Sequence, residues 1–338
     1  MDRTDKNILD ILQFDFPLTT RPWAAVARKA GCGEREAIAR IETLKDEGVI
    51  RRLGPVFSSG KIGYHGTLAA FKVDPGDVDR VAGCLNPVPG VSHNYVREGD
   101  FNVWFTLTLP ERERLRTAVA RLAREAAVRE WLFLPAVRTF KIGLALPMSG
   151  ASDAMTQRAP AAGRNRPRTG QRGSSARSGV NKRFIRALQG DLSMVSRPYR
   201  KAARHLHCSE GEVARRIRRG LESGTIRRVA AVLDPVKAGY RANVLVAWIV
   251  PGSGKKLLGE VAAAVPVVSH CYERSVRDRW PYSIYTMIHG RTNRECEAVI
   301  KRIAAETGVN RYRRLKTVRC LKKSRIVYHG KRVTRSEA

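Results

Sequence analysis

The residues best suited to chemistry in this 338-residue chain form a short block that occurs twice. The block reads His-x-Tyr-x-Arg and comprises His93, Tyr95 and Arg97 in VSHNYVRE and His270, Tyr272 and Arg274 in VSHCYERS. Because alternate residues of a strand point to one face, it predicts an imidazole, a phenol and a guanidinium in a row. Histidine can donate a proton near neutral pH and arginine matches a carboxylate, so the row could place a proton donor beside a group that binds carboxylates. A polar strand face that meets solvent is the alternative interpretation.

The repeated block belongs to a longer internal duplication. Residues 5–52 align without a gap on residues 181–228 at a constant offset of 176. The register slips by one residue before the two blocks align. Two similar halves of about 145 residues are therefore predicted, each long enough to bury a core. Residues 148–179 between them are rich in Gly, Ser, Ala, Pro and Arg, which predicts a flexible linker.

The first part of each copy is predicted to be helical. In the first copy, apolar residues at helical spacing precede Pro17, Pro22 suits the first turn of a second helix, and a third helix spans about 34–47. A glycine-punctuated hairpin is predicted to end at Gly63-Tyr64. Three short helices followed by this wing indicate a winged helix-turn-helix.

The rest of each copy alternates strands and helices. In the first copy the predicted order is strand 68–73, helix 75–85, strand 91–97, strand 101–107, helix 111–130 and strand 132–141. This βαββαβ order is ferredoxin-like, so the fold class is α+β. An almost unbroken apolar run at 244–250 predicts a strand covered by helices on one face and by a partner sheet on the other. We therefore expect the two copies to pack face to face as a pseudo-heterodimer.

These signals divide the chain into six predicted segments. They are a winged helix-turn-helix at 1–62, a ferredoxin-like domain at 63–147, the linker at 148–179, a second winged helix-turn-helix at 180–238, a second ferredoxin-like domain at 239–328 and a basic tail at 329–338.

Positive charge is concentrated in the second half of the chain. Residues 1–147 carry 22 Lys and Arg against 18 Asp and Glu, whereas residues 180–338 carry 35 against 12. Such a field attracts nucleic acid, an anionic membrane surface or a multiply carboxylated molecule, and charge alone does not choose among them. The six cysteines lack disulfide or zinc spacing, and neither a secretion signal nor a membrane-spanning stretch is present. A reduced cytoplasmic protein is expected.

Four stretches carry a resemblance to a known family. They are VSHNYVREGDFNVWFTL at 91–107, LPAVRTFKIG at 134–143, VSHCYERSVRDRWPYSIYTMIHGR at 268–291 and LKTVRCLKKS at 315–324. The general layout resembles the Lrp/AsnC regulators, in which a winged helix precedes a ferredoxin-like ligand-sensing domain. These stretches resemble more closely the siroheme decarboxylases, which occur as paired subunits or as one fused chain.

The resemblance implies loss of CO₂ from two acetate side chains of siroheme, which gives 12,18-didecarboxysiroheme for haem d1 or for an alternative haem route. It implies no added cofactor and no separate metal site, because the iron enters with the substrate. His270 and His93 are then the leading acid candidates, with Tyr272 and Tyr95 beside them. The candidate substrate-binding residues are Arg274, Arg97, Arg277, Arg279, Trp280, Tyr282 and Arg291. No spacing identifies an iron ligand among the remaining histidines, His65, His205, His207, His289 and His329.

Two other functions stay open at the level of the sequence. A DNA-binding regulator would place its third helix in the major groove, yet residues 34–47 are net acidic. The matching helix of the second copy is basic, with Arg215, Arg216, Arg218 and Arg219, and could bind DNA. A protein with one such helix would lose the two-fold match to a palindromic site, so DNA binding is disfavoured but stays open. A haem sensor without catalysis would use the same pocket. Beyond siroheme, the expected partner is the other half of the chain; no membrane partner is expected, and a higher oligomer stays open.

Overall fold

The computed structural model describes residues 1–110, 114–149, 180–276 and 279–330. Most of the predicted linker, most of the basic tail and Arg277 lie outside these residues. The backbone N–H groups of Met148 and Ser149 donate to the carboxylate of Asp10 at 2.8 and 2.9 Å. These two residues therefore belong to the folded first copy rather than to the linker.

The two copies present the same series of helices and strands. The first contains α1 (Arg3–Phe14), α2 (Pro22–Ala30), α3 (Glu34–Asp46), β1 (Ile50–Phe57), β2 (Tyr64–Phe71), α4 (Val78–Leu85), β3 (Val91–Arg97), β4 (Val103–Pro110), α5 (Leu115–Glu125) and β5 (Trp131–Ile142). The second contains α6 (Lys182–Leu188), α7 (Arg200–Leu206), α8 (Glu210–Glu222), β6 (Ile226–Leu233), β7 (Ala242–Trp248), α9 (Lys255–Ala264), β8 (Val268–Arg274), β9 (Ile284–Gly290), α10 (Asn293–Thr307) and β10 (Tyr312–Lys323). The predicted α+β fold of two tandem copies is confirmed.

Local sequence signals explain where the first helices begin and end. α1 opens with a capping box, in which the Asp2 carboxylate accepts from the N–H of Asp5 and the Asp5 carboxylate accepts from the N–H of Asp2. Pro22 occupies the first turn of α2, and Gly31 ends that helix in the left-handed region at φ 76°.

The strand after the third helix pairs between copies rather than within one. β1 runs antiparallel to β6, with Leu53 opposite Ala231 and Pro55 opposite Val229. A short 3-10 turn at Ser59–Ile62 follows β1 in place of a second wing strand. The predicted hairpin within each copy is therefore wrong. Both strands bury apolar residues in one core that the helices of the two copies share, and this shared core favours pairing across copies.

The ferredoxin-like parts join into one closed antiparallel sheet of eight strands. Their order around the barrel is β10-β3-β4-β2-β5-β8-β9-β7. The first half of β5 pairs with β2 and its second half with β8 of the other copy. β10 likewise pairs with β7 and then with β3. The copies are thus joined at the sheet edges, and the sheet faces that the helices leave uncovered enclose the barrel interior.

Apolar residues fill both sides of this sheet. One cluster lies beneath α4 and α5, and another lies beneath α9 and α10. A third cluster lies inside the barrel and includes Trp104 and Leu134 from the first copy and Trp280 and Tyr285 from the second. The interior core therefore depends on both copies.

Three further observations limit the classes of site. Within the described ranges, no helix is long and apolar enough to cross a membrane. Among the same residues, no group of three His, Cys, Asp or Glu side chains could hold a metal ion. All six cysteines are free thiols.

Candidate active site

The two His-x-Tyr-x-Arg blocks occupy β3 and β8, and their side chains face the barrel interior. Tyr95 lies opposite Trp104 in the ladder, and Tyr272 lies opposite Tyr285. Trp104 and Tyr285 belong to the interior core, and residues directly opposite in a ladder share a sheet face. The sequence-predicted rows therefore point inward, away from the helices.

Within each row the side chains touch in order. The rings of His93 and Tyr95 stack with centroids 6.1 Å apart, and those of His270 and Tyr272 with centroids 6.0 Å apart. The guanidinium of Arg97 lies 5.2 Å from the Tyr95 ring centroid. In the second copy the matching distance, from Arg274 to Tyr272, is 4.8 Å. The predicted row of imidazole, phenol and guanidinium is present in both copies.

Ladder pairings place both histidines at one end of the barrel. His93 lies opposite Lys323 at the end of β10, and His270 lies opposite Ile142 at the end of β5. Arg97 and Arg274 lie further along β3 and β8, toward the aromatic core. The rows thus run from the histidine end of the barrel to its filled part.

Hydrogen bonds orient each imidazole in the same way. The Ser92 hydroxyl contacts Nδ1 of His93 at 2.9 Å, and the Ser269 hydroxyl contacts Nδ1 of His270 at 2.8 Å. The proton on each of these bonds follows the histidine tautomer. Because Nδ1 is engaged, Nε2 is the atom of each ring available to a bound molecule.

The pKa values of both histidines are strongly lowered. Burial, and then the charges of Arg51 and Lys323, lower the pKa of His93 to about 4. Burial, and then the charge of His289, lower the pKa of His270 to about 3, and His93 itself contributes to that shift. The imidazoles of both copies are therefore close enough to interact electrostatically. Both histidine residues are only partly exposed.

Two buried arginines stand without an anionic partner. Nη1 of Arg97 donates to the Leu315 carbonyl at 3.0 Å, and Nη1 of Arg274 donates to the Leu134 carbonyl at 2.6 Å. Their Nε atoms are buried and have no hydrogen-bond partner among the described residues. Burial lowers the pKa of Arg97 to about 10. A buried cation without a counter-charge is costly, so these guanidinium groups favour an incoming carboxylate.

The ribbon of β1 and β6 adds cations that the sequence analysis did not select. Arg51 lowers the pKa of His93, and Arg227 and Arg228 lower the pKa of His270. Nη2 of Arg228 donates to the carbonyl of Leu144, just beyond β5, at 2.9 Å. The ribbon therefore lies over the histidine end of the barrel. The duplicated triplet Ile-Arg-Arg at 50–52 and 226–228 was the available sequence signal.

Trp280 and Tyr282 lie in the interior core of the barrel. Trp280 is 3% exposed, and its Nε1 donates to the Tyr285 hydroxyl at 2.6 Å. The Tyr282 ring lies 4.8 Å from the Trp280 ring. Trp280 therefore belongs to the floor of the barrel, which is its aromatic core beside Arg274, away from the histidine end.

Arg274 lies in the same row as His270, but Arg279 and Arg291, which were also predicted to bind substrate, lie elsewhere. The Arg279 side chain is 86% exposed and lies 3.9 Å from Glu130, next to the start of β5. Since His270 faces the end of β5, about 35 Å of strand separates the two positions. Arg291 is exposed and lies 5.9 Å from the Tyr240 ring on the outer surface. Arg277 lies outside the described residues.

Two family models each match the chain twice. The model described as a siroheme decarboxylase NirDL-like HTH domain matches residues 5–51 and 181–227. The model described as an AsnC-like ligand binding domain matches residues 61–141 and 237–322. The fold and the duplicated site therefore define an AsnC-like protein made of two fused copies.

Individual relatives extend the similarity over nearly the whole chain. The siroheme decarboxylase of Hydrogenobacter thermophilus is 34% identical over 329 residues, 97% of this chain and 96% of that protein. The siroheme decarboxylase alpha subunit of Desulfovibrio desulfuricans is 41% identical over 152 residues, 45% of this chain and 87% of its own. A crystal structure of the siroheme decarboxylase NirDL in co-complex with an iron-uroporphyrin III analogue has a TM-score of 0.67 and 30% identity, covering 96% of this chain and 94% of that chain. The chain belongs to the siroheme decarboxylase family.

Proposed function

We propose that this chain decarboxylates siroheme, converting two acetate side chains to methyl groups and releasing 12,18-didecarboxysiroheme. The observation that carries the proposal is the pair of histidines at one barrel end, above two buried arginines that lack counter-charges. Family membership supports the same substrate, because a related solved structure holds an iron-uroporphyrin III analogue.

The proposed reaction needs an acid and a set of cations. The bond between the acetate methylene carbon and its carboxyl carbon breaks, CO₂ leaves, and the electron pair stays on the methylene carbon, where the macrocycle delocalises it. A proton from Nε2 of His270 or His93 then completes the methyl group, so each acetate consumes one proton. The lowered pKa values keep both histidines neutral near pH 7. Carboxylates of the substrate would raise their pKa and so charge the acid.

The cations are suited to hold a molecule with eight carboxylates. Arg97 and Arg274 would bind carboxylates inside the barrel, and Arg51 and Arg227 would bind them at its opening. Tyr95 and Tyr272 lie between acid and arginine, where their rings can support a flat macrocycle. We assign Trp280 and Tyr282 to the floor, and the roles predicted for Arg277, Arg279 and Arg291 stay predictions.

The finer classification follows from the reaction. The enzyme would be a carboxy-lyase in haem d1 or alternative haem formation, with no resident cofactor, since the iron belongs to the substrate. Its six free cysteines suit the reducing cytoplasm.

DNA regulation is less well supported by the third helices. α3 is net acidic. In α8 the carboxylate of Glu212 binds Arg215, Arg216 and Arg219 at 2.8 to 2.9 Å. These arginine hydrogen bonds lower the pKa of Glu212 to about 2. The arginines that would contact phosphates are therefore already partly neutralised.

Anaerobic incubation with siroheme tests the proposal. Mass spectrometry should detect loss of two CO₂, and His270→Ala should bind siroheme but react about 10²- to 10⁴-fold more slowly, the usual scale for a positioned acid. His205→Ala, at an exposed position of α7, is the matched control and should keep full activity. A spectral change without mass loss would indicate a sensor, and neither change would favour a regulator.

His93→Ala separates two arrangements of the chemistry. A singly decarboxylated product from only one of the two histidine variants would mean that each half acts on a different acetate. Equal loss without an intermediate would mean one pocket that uses both histidines. Full activity in both variants would remove the histidines from the chemistry and transfer the acid role to Tyr272 or Tyr95.

A further inference from the structure

The hydroxyl of Ser269 lies between two imidazoles. Its Oγ is 2.8 Å from Nδ1 of His270 and 2.9 Å from Nε2 of His289. Ser269 is 1% exposed and His289 is 6% exposed, so water does not compete for these bonds. A serine hydroxyl has one proton and two lone pairs. It can therefore donate to one imidazole while it accepts from the other, and the three groups form a continuous path for a proton.

The first copy lacks this path. Ser92 contacts Nδ1 of His93 and the hydroxyl of Thr106, each at 2.9 Å. Val91 pairs with Leu107 as Val268 pairs with Ile288, so the next residue, Thr108, occupies the position of His289. A threonine hydroxyl does not hold an additional proton near neutral pH, whereas an imidazole does.

We propose that His289 and Ser269 supply the proton that His270 delivers, which makes the second copy the protonating half of the site. The inference rests on the proposed decarboxylation and names the direction of proton flow within it. His289 is a positioning residue in this scheme, since it acts through Ser269 and His270 and does not contact the substrate. His93 would then bind or orient the substrate without a proton reserve of its own.

The transfer balances as follows. In the loaded site His289 carries protons on both nitrogens, Ser269 donates to Nδ1 of His270, and His270 carries its proton on Nε2. His270 gives the Nε2 proton to the carbanion left by CO₂, Ser269 gives its proton to Nδ1, and His289 gives its Nε2 proton to Ser269. His289 ends neutral with a proton on Nδ1. One proton enters the product, and His270 is left with its proton on Nδ1. A proton from solvent on Nε2 of His270 then sends the Nδ1 proton back through Ser269 to Nε2 of His289, which restores the starting state.

The surroundings of His289 suit a residue that takes up its additional proton only when substrate binds. Its Nδ1 has no hydrogen-bond partner among the described residues, so no neighbour fixes the proton there. Burial, and then the charge of Lys323, lower the pKa of His289 to about 4. Anionic substrate beside this cluster would raise that pKa and so protonate His289.

His289→Gln is the discriminating variant, because glutamine can keep the hydrogen bond to Ser269 but cannot carry the additional proton. We expect siroheme affinity, measured by absorbance titration, to stay within about twofold while the single-turnover rate of didecarboxysiroheme formation falls about 10- to 100-fold, part of the general acid effect. The matched control is Thr108→Val at the same position of the first copy, which should keep the parent rate.

The number of protons that move in the rate-limiting step can be measured, and a purely structural role of His289 would not change it. We expect the single-turnover rate of the parent to vary with the deuterium fraction of H₂O–D₂O mixtures along a curve, because several protons move together. For His289→Gln we expect a straight line, because one proton moves. A parental rate in His289→Gln, an unchanged curve, or equal slowing by Thr108→Val would overturn the relay.

Ser269→Ala tests the relay if His289→Gln does not fold, as judged by circular dichroism. It removes the connecting hydroxyl and keeps both imidazoles, so the same slowing and the same straight line are expected. A parental rate in this variant would also refute the relay. If the parent itself releases no CO₂, the proposed decarboxylation fails and the relay fails with it. If only the variants match the parent, the relay alone fails.

Discussion

At the scale of single residues, period-two spacing was enough to predict which side chains share a face. His93, Tyr95 and Arg97 meet as the strand pattern indicates, and the same holds in the second copy. Phe101 and Trp104, which follow the first block, are both buried inside the barrel. Contacts across the chain were not predictable in this way. Arg279 was selected because it follows the block closely, but the connection before β9 carries it to the opposite end of the barrel.

The buried histidines make folding stability depend on pH. Unfolded histidines take up protons near their ordinary pKa of 6.5, whereas His93 and His289 do so only near about 4 in the folded chain. Between these values the unfolded state binds more protons, so the free energy of unfolding should fall as pH drops from 6.5 toward 4. The loss should reach up to about 3 kcal/mol for a fully buried histidine. Urea denaturation at a series of pH values measures it.

The His289→Gln variant serves as the control for this pH effect. Its free energy of unfolding should depend less steeply on pH between 6.5 and 4, because one titrating histidine is missing. Below pH 4, where carboxylates titrate, its pH dependence should match that of the parent. An unchanged slope in the variant would show that His289 does not titrate with a lowered pKa. His205→Ala, at an exposed position, should leave the slope as it is.

At the scale of elements, helices and strands were predicted better than their partners. β3 spans the residues that the sequence predicted for it, 91–97, and α3 ends within one residue of its prediction. The wing strand β1 was also found, but as part of a hairpin within the copy. Its apolar residues fit any antiparallel neighbour, and only the shared core of the helices favours β6. Because the partner of β1 could not be predicted, the position of Arg51 and Arg227 near the histidines could not be predicted either.

The ribbon arginines should contribute to substrate affinity. Arg227 is exposed, lowers the pKa of both His270 and Tyr272, and forms no ion pair within the described part of the chain. Arg227→Ala should therefore raise the Kd for siroheme about tenfold, the loss of roughly one charge-assisted hydrogen bond. Absorbance titration measures the change, and Arg302→Ala, an exposed α10 arginine paired with Glu306, is the control.

Salt provides a second measure of the same contacts. Affinity of the parent should fall as ionic strength rises past about 0.1 M, where screening reaches roughly 10 Å. Arg227→Ala should give a shallower dependence, because it has one charge fewer to screen. Equal affinity losses in Arg227→Ala and Arg302→Ala would argue against a specific role of the ribbon.

At the scale of the whole molecule, the two copies are interlocked rather than merely adjacent. Ladders join β1 to β6, β5 to β8 and β10 to β3. The Phe140 ring at the end of β5 lies against α9 of the other copy, where a Cβ on Gly259 would come within 2.3 Å of it. The candidate active site is a product of this exchange, since each copy contributes one histidine row to one barrel. The duplication could be predicted from the sequence, but the closure of the two sheets into one barrel could not.

Cutting the linker should therefore leave the halves together. A protease site introduced near residue 160 would break the chain between the two copies, while the three ladders and the interior core that both copies build would persist. The cleaved protein should elute from a sizing column at micromolar concentration as one species of the original size and should keep its siroheme affinity. An uncut sample carrying the same site is the control. Two fragments that elute separately would mean that the tether, rather than the shared barrel, holds the copies together.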